Sequence, residues 1–200
     1  VDIKEEHAAT YDNIGATPLQ VNTGRATVVV SKADPEISVT ANDLTYTGKD
    51  QVLVKVTTSG GEWRYSLDND RYAVAVPTAV NAGKYTVYYI SRANTNYNDS
   101  GLQTIEAEIK QATPTVTVEK NDNLTYNGKD QQLVTTSGVP EGCTVQYKVN
   151  DGDWSTAIPT AKNAGSYKVS YKVTGNTNYA DVAETEVGTV TIAKAKVTVT

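Results

Sequence analysis

Few residues in this 200-residue sequence are of types that commonly carry catalysis or bind metals. His7 is the only histidine, and neither a second histidine nor a cysteine lies near it. A zinc site or a Ser-His-Asp relay needs several such side chains, so neither is expected. Cys143 is the only cysteine and has no histidine or basic residue beside it, so the sequence predicts neither a disulfide nor a reactive thiolate.

Two predicted turns concentrate carboxylate and amide oxygens, at Asp68-Asn69-Asp70 and at Asn150-Asp151-Gly152-Asp153. Calcium favours such ligands, but neither segment has the twelve-position EF-hand pattern, and these side chains also bond their own backbone in turns. Glu184 and Glu186 share one predicted strand and form no convergent pair for glycoside hydrolysis. We therefore predict no catalytic residue, no metal ligand and no cofactor.

Aromatic residues beside polar loops are the remaining candidates for ligand binding. Trp154 follows the second of these turns, and Tyr72 stands at the aligned position after the first. Such rings can stack on sugars, although more often they cover the end of a sandwich core. Tyr72 and Trp154 are thus candidates both for ligand contact and for packing. Trp63 alternates with core positions and is predicted to be buried.

Charge and hydropathy argue against two classes of partner. The formal net charge is −5 and no basic cluster is present, so nucleic acid is not an expected partner. No stretch approaches the roughly 18 consecutive apolar residues of a membrane span, so we expect no membrane insertion in this fragment.

An internal repeat organises the chain. LTYTGKDQ at 44–51 returns 80 positions later as LTYNGKDQ, and PTAVNAGKY at 77–85 returns 82 positions later as PTAKNAGSY. The segment NTNY at 94–97 also returns, at 176–179. We call residues 34–112 the first copy and residues 113–195 the second copy. Units of this length can hold their own core, so each copy is predicted to be a module.

The ends of the chain resemble parts of the same repeat. Residues 24–32 are similar to the segment that closes the second copy, and residues 196–200 are similar to the strand that opens it. We therefore interpret residues 1–33 as a remnant of a preceding module plus linker. Residues 196–200 are interpreted as the first strand of a following module.

Alternating apolar residues predict half-buried strands in both copies. The core-facing positions are predicted to be Trp63, Tyr65, Leu67, Tyr85, Val87, Tyr89, Val145, Tyr147, Val149, Tyr167, Val169, Tyr171 and Val173. Tyr88 and Ile90 are expected on the outward face as an apolar strip. The one weak helical pattern lies at residues 2–10. With about seven short strands in each copy, the predicted fold is all-β, a pair of tandem immunoglobulin-like antiparallel β-sandwiches.

Four motifs carry a resemblance to a known family. They are LTYNGK at 124–129, NAGSY at 163–167, Asn178-Tyr179 and IAKA at 192–195. Together they resemble the MBG- and YDG-type bacterial Ig-like repeats, and the resemblance covers both copies. It implies tandem arrays in secreted or wall-anchored proteins, including adhesins, and therefore an extracellular location. The motif of these families contains no catalytic residue.

The motif residues have expected structural roles. Four glycines are predicted to permit tight turns, two of them after a tyrosine whose ring packs on the core and two before the long alternating strand. The motif residues, glycines and tyrosines together, are Tyr46, Gly48, Gly83, Tyr85, Tyr126, Gly128, Gly165 and Tyr167. The segments that follow the last strands lack flexible Gly-Ser runs and predict stiff linkers.

The sequence thus predicts a non-catalytic structural or interaction repeat, a stalk or spacer that presents an adhesive head, with neighbouring repeat modules as its partners. Two alternatives stay open. The chain could bind glycan or host protein through Tyr72, Trp154 or the Tyr88 strip, or it could be an accessory module of a secreted carbohydrate-active enzyme. A monomer is expected, and pairing of the apolar strand near Val28 would give a dimer instead.

Overall fold

The computed structural model describes residues 30–197, and those from Lys32 onward belong to one compact unit. Within the described residues the only regular elements are β-strands, which confirms the all-β prediction. The helical pattern at residues 2–10 and the strand near Val28 lie outside the described residues, as does most of the segment interpreted as a module remnant.

Eight strands form in each copy. The first copy contains β1 (Glu36–Ala41), β2 (Asp43–Thr45), β3 (Gln51–Val52), β4 (Val54–Ser59), β5 (Trp63–Ser66), β6 (Thr78–Ala79), β7 (Gly83–Ser91) and β8 (Gln103–Lys110). The second copy contains β9 (Thr117–Lys120), β10 (Leu124–Thr125), β11 (Gln131–Gln132), β12 (Val134–Ser137), β13 (Thr144–Val149), β14 (Thr160–Ala161), β15 (Gly165–Thr174) and β16 (Val182–Ala193).

The strands pair in the same way in both copies. The first copy has a four-stranded sheet of order β2-β8-β7-β5 and the pairs β1-β4 and β3-β6. The second has a four-stranded sheet of order β10-β16-β15-β13 and the pairs β9-β12 and β11-β14. β2 runs parallel to β8 and β10 runs parallel to β16, whereas the other pairs are antiparallel. A tight hairpin cannot join parallel strands. The last strand of each copy therefore reaches its place beside an early strand only after the intervening strands of that copy.

Each copy has a separate core. In the first copy Val54 of β4 packs in one buried cluster with Val87 of β7 and Ile109 of β8. In the second copy Val134 of β12 packs likewise with Val169 and Ile192. The small sheets and the four-stranded sheet thus contribute to a common core, an arrangement consistent with a β-sandwich.

The burial pattern confirms most of the predicted core positions and contradicts the predictions for Leu67 and Ile90. Trp63 and Tyr65 are buried, as predicted, but Leu67 is 40% exposed because β5 ends at Ser66. Ile90 was expected to face outward, yet it is only 6% exposed. Tyr89 is the last β7 residue paired with β8.

The end of β7 pairs with β5, with Ile90 opposite Arg64, and the loop that precedes β5 contacts Ser91. In this loop the Glu62 amide donates to Ser91 Oγ at 2.9 Å. Tyr88 is half-buried, so an exposed Tyr88–Ile90 strip does not form.

Candidate functional site

Trp154 lies in the segment that folds back on β13, where Tyr147 and Ser155 exchange backbone hydrogen bonds of 2.7 and 2.9 Å. Its ring is half-buried. The Nζ atoms of Lys148 and Lys172 lie 4.9 and 4.6 Å from the ring centroid, within the range of cation–π attraction. A sugar that stacked on this ring would have to compete with both ammonium groups.

Tyr72, at the aligned position of the first copy, has different surroundings. Its side chain is half-buried, and its hydroxyl donates to Asn69 Oδ1 at 2.6 Å, within its own turn. The two aromatic residues therefore align in sequence but do not present the same surface.

The acidic turn of the first copy is closed by its own side chain. Asp68 Oδ1 accepts hydrogen bonds from Ser66 Oγ at 2.7 Å and from the amides of Asp70 and Arg71 at 2.9 Å each. These bonds hold the pKa of Asp68 well below its usual range, and the bond from Ser66 has the largest effect. Asn150 takes the aligned place in the second copy and accepts from the Lys168 amide at 2.9 Å.

No group of three or more His, Cys, Asp or Glu side chains comes together in the described part of the chain. The two carboxylates considered for glycoside hydrolysis form ion pairs on the sheet surface: Glu184 with Lys148 at 2.7 Å and Glu186 with Lys168 at 3.0 Å. The hydrogen bond from Lys148 lowers the pKa of Glu184. Cys143 packs at the edge of the second core, and this burial raises the pKa of its thiol.

Tyr46 and Tyr126 occupy aligned positions but differ in burial. Gly48 and Gly128, two residues after them, both have a φ of 75°, the left-handed conformation that the predicted tight turn requires. The ring of Tyr46 packs against the first core, as expected. The ring of Tyr126 was also expected on the core, but it is 41% exposed.

The second pair of predicted turn glycines opens a strand in each copy. Gly83 begins β7 and Gly165 begins β15, where they pair with the last strand of their copy. Gly165 has no positive φ, contrary to the expected tight turn. The corner is closed instead by tyrosine hydroxyls, since Tyr85 Oη donates to the Asn81 carbonyl at 2.7 Å and Tyr167 Oη donates to the Asn163 carbonyl at 2.8 Å.

A junction joins the two copies, and we call it the copy junction: the linker at Gln111 and Ala112, the loop 176–180, and the first-copy residues Tyr46, Asn81 and Ala82. Its backbone part is a short ladder. The Ala112 amide donates to the Asn178 carbonyl at 3.0 Å, and the Ala180 amide donates to the Ala112 carbonyl at 2.9 Å. Gln111 Nε2 adds a bond of 2.8 Å to the Asn176 carbonyl.

Side chains of the same loop reach across to the first copy. Asn178 Oδ1 accepts from the Ala82 amide at 2.8 Å, and Asn178 Nδ2 donates to Asn81 Oδ1 at 3.2 Å. The ring of Tyr179 meets the ring of Tyr46 edge to face, with centroids 5.3 Å apart and an interplanar angle of 81°. One loop of the second copy thus satisfies a backbone amide and covers an aromatic ring of the first.

The backbone ladder of the copy junction recurs at the start of the first copy. There the Ala33 amide donates to the Asn96 carbonyl, and the Asn98 amide donates to the Ala33 carbonyl, both at 2.9 Å. The geometry that joins a linker alanine to the NTNY loop is therefore present twice in the described residues.

Sequence reasoning identified the residues of the copy junction as repeat motifs but not as partners. The recurrence of NTNY and NAG in both copies was the available signal. This signal could not show that the two motifs contact each other, because the bonded residues Ala82 and Asn178 lie 96 positions apart in the chain.

Comparison with known proteins adds no relative: no protein-family model matches the chain, and no curated protein sequence matches it. Within residues 30–197 there is no helix of the length and apolarity that a membrane crossing requires.

Proposed function

We propose that this chain is a non-catalytic spacer of a bacterial surface protein, in which tandem immunoglobulin-like modules are locked together at their junctions. The single observation that carries the proposal is the copy junction. A spacer must transmit orientation from one module to the next, and a junction that bonds the linker, a backbone amide and an aromatic ring fixes that orientation.

The copy junction combines contacts of different kinds. Each of its hydrogen bonds contributes about 1 kcal/mol, and an edge-to-face aromatic pair adds about 0.5–1.5 kcal/mol. Modules joined by a linker alone move freely against each other. Here the linker residue Ala112 is bonded through both its amide and its carbonyl, so bending at this point would break the ladder.

Two features support the immunoglobulin-like topology. The last strand of each four-stranded sheet lies beside an early strand, which is a crossover arrangement and not a simple meander. The hydroxyls of Tyr85 and Tyr167 bond a carbonyl four residues upstream at the entry to a central strand, as in the tyrosine corner of immunoglobulin-like domains.

The family and the location are supported by sequence motifs. LTYNGK, NAGSY and the Asn-Tyr pair are similar to the MBG- and YDG-type repeats, and that similarity is the basis for proposing an extracellular, cell-surface role. In the structure these motifs supply the turn at Gly128, the corner at Tyr167 and the loop of the copy junction.

The proposal is tested by measuring the distance between the copies. Spin labels at Lys55→Cys and Thr135→Cys, exposed and aligned positions on β4 and β12, are placed in a Cys143→Ala background. Double electron–electron resonance is expected to give one narrow distance distribution. The double substitution Asn178→Ala with Tyr179→Ala removes the side-chain contacts and is expected to widen it roughly twofold, because weakly held modules reorient.

The matched control is Asn96→Ala with Tyr97→Ala, the aligned pair in the first copy, which lies outside the copy junction. It is expected to leave the distribution between the labels unchanged. A broad distribution in the parent protein would show that the junction is not rigid and would contradict the spacer proposal.

Glycan or host-protein binding at the loop aromatics is less well supported. The Trp154 ring is approached by two lysines and the Tyr72 hydroxyl bonds its own turn, so neither residue presents an open stacking platform. A glycan and matrix-protein array run on the parent chain and on Trp154→Ala tests this alternative. A reproducible ligand that is lost in Trp154→Ala would favour it over the spacer.

A further inference from the structure

We propose that Tyr126, Asn163 and Ala164 form a docking surface for the Asn-x-Asn-Tyr loop of a further copy of this repeat, joined in the same chain through Ala195. This inference rests on the proposed spacer function and identifies the partner surface that continues the array. The copy junction provides the template, since the surface on the second copy consists of the residues aligned with Tyr46, Asn81 and Ala82.

The aromatic part of the surface is already formed. The Tyr46 amide donates to the Lys110 carbonyl and the Tyr126 amide donates to the Ala193 carbonyl, both at 2.8 Å. A methyl group placed on Gly48 would lie 3.7 Å from Tyr46 Oη, and one on Gly128 would lie 4.0 Å from Tyr126 Oη. Both rings are therefore held over the same turn.

The polar part of the surface is formed as well. The hydroxyls of Tyr85 and Tyr167 bind the carbonyls of Asn81 and Asn163 at 2.7 and 2.8 Å, which fixes the two corners in the same way. The Asn163 side chain is exposed. Asn163 aligns with Asn81, whose Oδ1 accepts the hydrogen bond from Asn178 Nδ2 in the copy junction.

What differs between the two copies is coverage. Beneath the loop of the second copy, Ala82 is 7% exposed and Tyr46 is half-buried. On the second copy Ala164 is half-buried and Tyr126 is 41% exposed. Ala82 and Tyr46 are thus each more buried than their counterparts Ala164 and Tyr126, and in the first copy the group that packs over them is the loop of the copy junction.

The incoming loop is the same in both copies and is held in shape before it docks. Asn176 Oδ1 accepts the amides of Asn178 and Tyr179 at 2.8 and 3.0 Å, and Asn94 Oδ1 accepts those of Asn96 and Tyr97 at 2.9 Å each. A loop fixed by its own first asparagine loses little conformational entropy on binding. Both copies therefore carry the loop and the surface.

The linker also fits a further copy. Ala195 aligns with Ala112 and Ala33, both of which already form the backbone ladder with an NTNY loop. Ala195 is exposed, as is the aligned Ala33. Lys194 aligns with Gln111, whose Nε2 donates to the Asn176 carbonyl, and it places an ammonium donor at the same position of the sequence.

The test extends the full chain with one more copy in register, by adding residues 118–195 after Thr200. Backbone amide exchange is followed by NMR at Ala164 and, in the same sample, at Ala82. Docking is expected to slow exchange at Ala164 roughly tenfold relative to the unextended chain, because its amide gains an asparagine acceptor. Unchanged exchange at Ala164 would overturn the inference.

The control is the same extension with the added counterparts of Asn178 and Tyr179 changed to Ala, which keeps the asparagine that shapes the loop. With this control, amide exchange at Ala164 is expected to be as fast as in the unextended chain. Equal protection of Ala164 by both extensions would show that the Asn-x-Asn-Tyr loop is not the group that docks there. Protection of the Ala164 amide that rises with protein concentration in the unextended chain would show that a second chain binds the surface. That result would overturn the proposal that the occupant is a further copy in the same chain.

Ala82 separates failure of this inference from failure of the spacer proposal. A protected Ala82 beside an unprotected Ala164 would leave the copy junction intact and refute only the docking surface. Rapid exchange at Ala82 itself would refute the rigid junction on which both proposals depend.

Discussion

Aligned residues in the two copies stabilise different groups. Asp68 accepts two backbone amides and a serine hydroxyl within its own turn, whereas Asn150 accepts an amide from β15. Their residue types predicted an Asx-stabilised turn, which is a local property. The type of an Asx residue does not determine which neighbouring strand supplies the donor, since that strand is distant in sequence.

Replacing Asp68 with Asn is expected to reduce the acid sensitivity of the fold. Because the folded-state pKa of Asp68 is lowered, its carboxylate stabilises the fold above its unfolded pKa of about 4, and that contribution is lost as the pH falls below this value. An amide at this position does not titrate. Thermal unfolding at pH 7 and at roughly pH 2.5 should therefore show a smaller loss of Tm in Asp68→Asn than in the parent.

The neighbouring substitution Asp70→Asn is the control, since Asp70 contributes its amide and not its carboxylate to this turn. It should retain the acid sensitivity of the parent. Equal acid-induced losses of Tm in the parent and in Asp68→Asn would contradict the role assigned to Asp68.

At the scale of elements, the period-two pattern located the strands, and the turn residues located some of their ends. Gly128 has the positive φ expected of a tight turn, but Gly165 simply begins β15 in an extended strand pairing. The two glycines looked alike in sequence because both precede or follow a motif tyrosine. Their backbone conformations were decided by the strands on either side.

Gly128→Ala is expected to lower the free energy of unfolding of the second copy by about 1 kcal/mol, because a side chain is disfavoured at positive φ. Gly165→Ala should change it by less than about 0.5 kcal/mol, since the contacts that its methyl group would meet, at 3.6 Å or more, are ordinary. Urea unfolding followed by Trp154 fluorescence in a Trp63→Phe background measures both. Equal losses in the two variants would show that φ is not the cause.

At the scale of the whole molecule, two cores are joined by one loop. The clusters around Val87 and Val169 share no residue, so each copy can respond to a core substitution separately. Residues in contact across an interface couple their stabilities, and residues without shared partners do not. We therefore expect the Tyr46–Tyr179 ring pair and the hydrogen bond from the Ala82 amide to Asn178 to couple the stabilities of the two copies.

This coupling can be measured because each copy contains one tryptophan. Val169→Ala opens a cavity in the second core, where Val169 is fully buried, and should cost about 2 kcal/mol there. In a Trp154→Phe background, Trp63 reports the first copy, and its urea midpoint is expected to fall as well. Adding Tyr179→Ala should remove most of this transmitted shift.

Tyr97→Ala, the aligned change in the first copy, is the control and should leave transmission from the second copy intact. The coupling would be refuted by a Trp63 midpoint that does not respond to Val169→Ala. It would also be refuted by a response that persists in full without the Tyr179 ring.

The sequence by itself determined the all-β class, the strands that face the cores and the motifs that recur, because alternation and turn chemistry depend on neighbouring residues. It placed Trp63, Tyr147 and Val169 correctly, and it erred at Leu67 and Ile90, where a strand ends or loses its neighbour.

Only the tertiary structure decided that Tyr46 is covered, that Tyr126 is open, and that Asn178 satisfies the Ala82 amide. Tyr46 and Tyr126 lie in nearly identical local sequence, so interactions with neighbouring residues predict the same burial for both rings. They differ because a loop that is distant in the chain packs over one of them, and such packing is settled only when the whole chain folds.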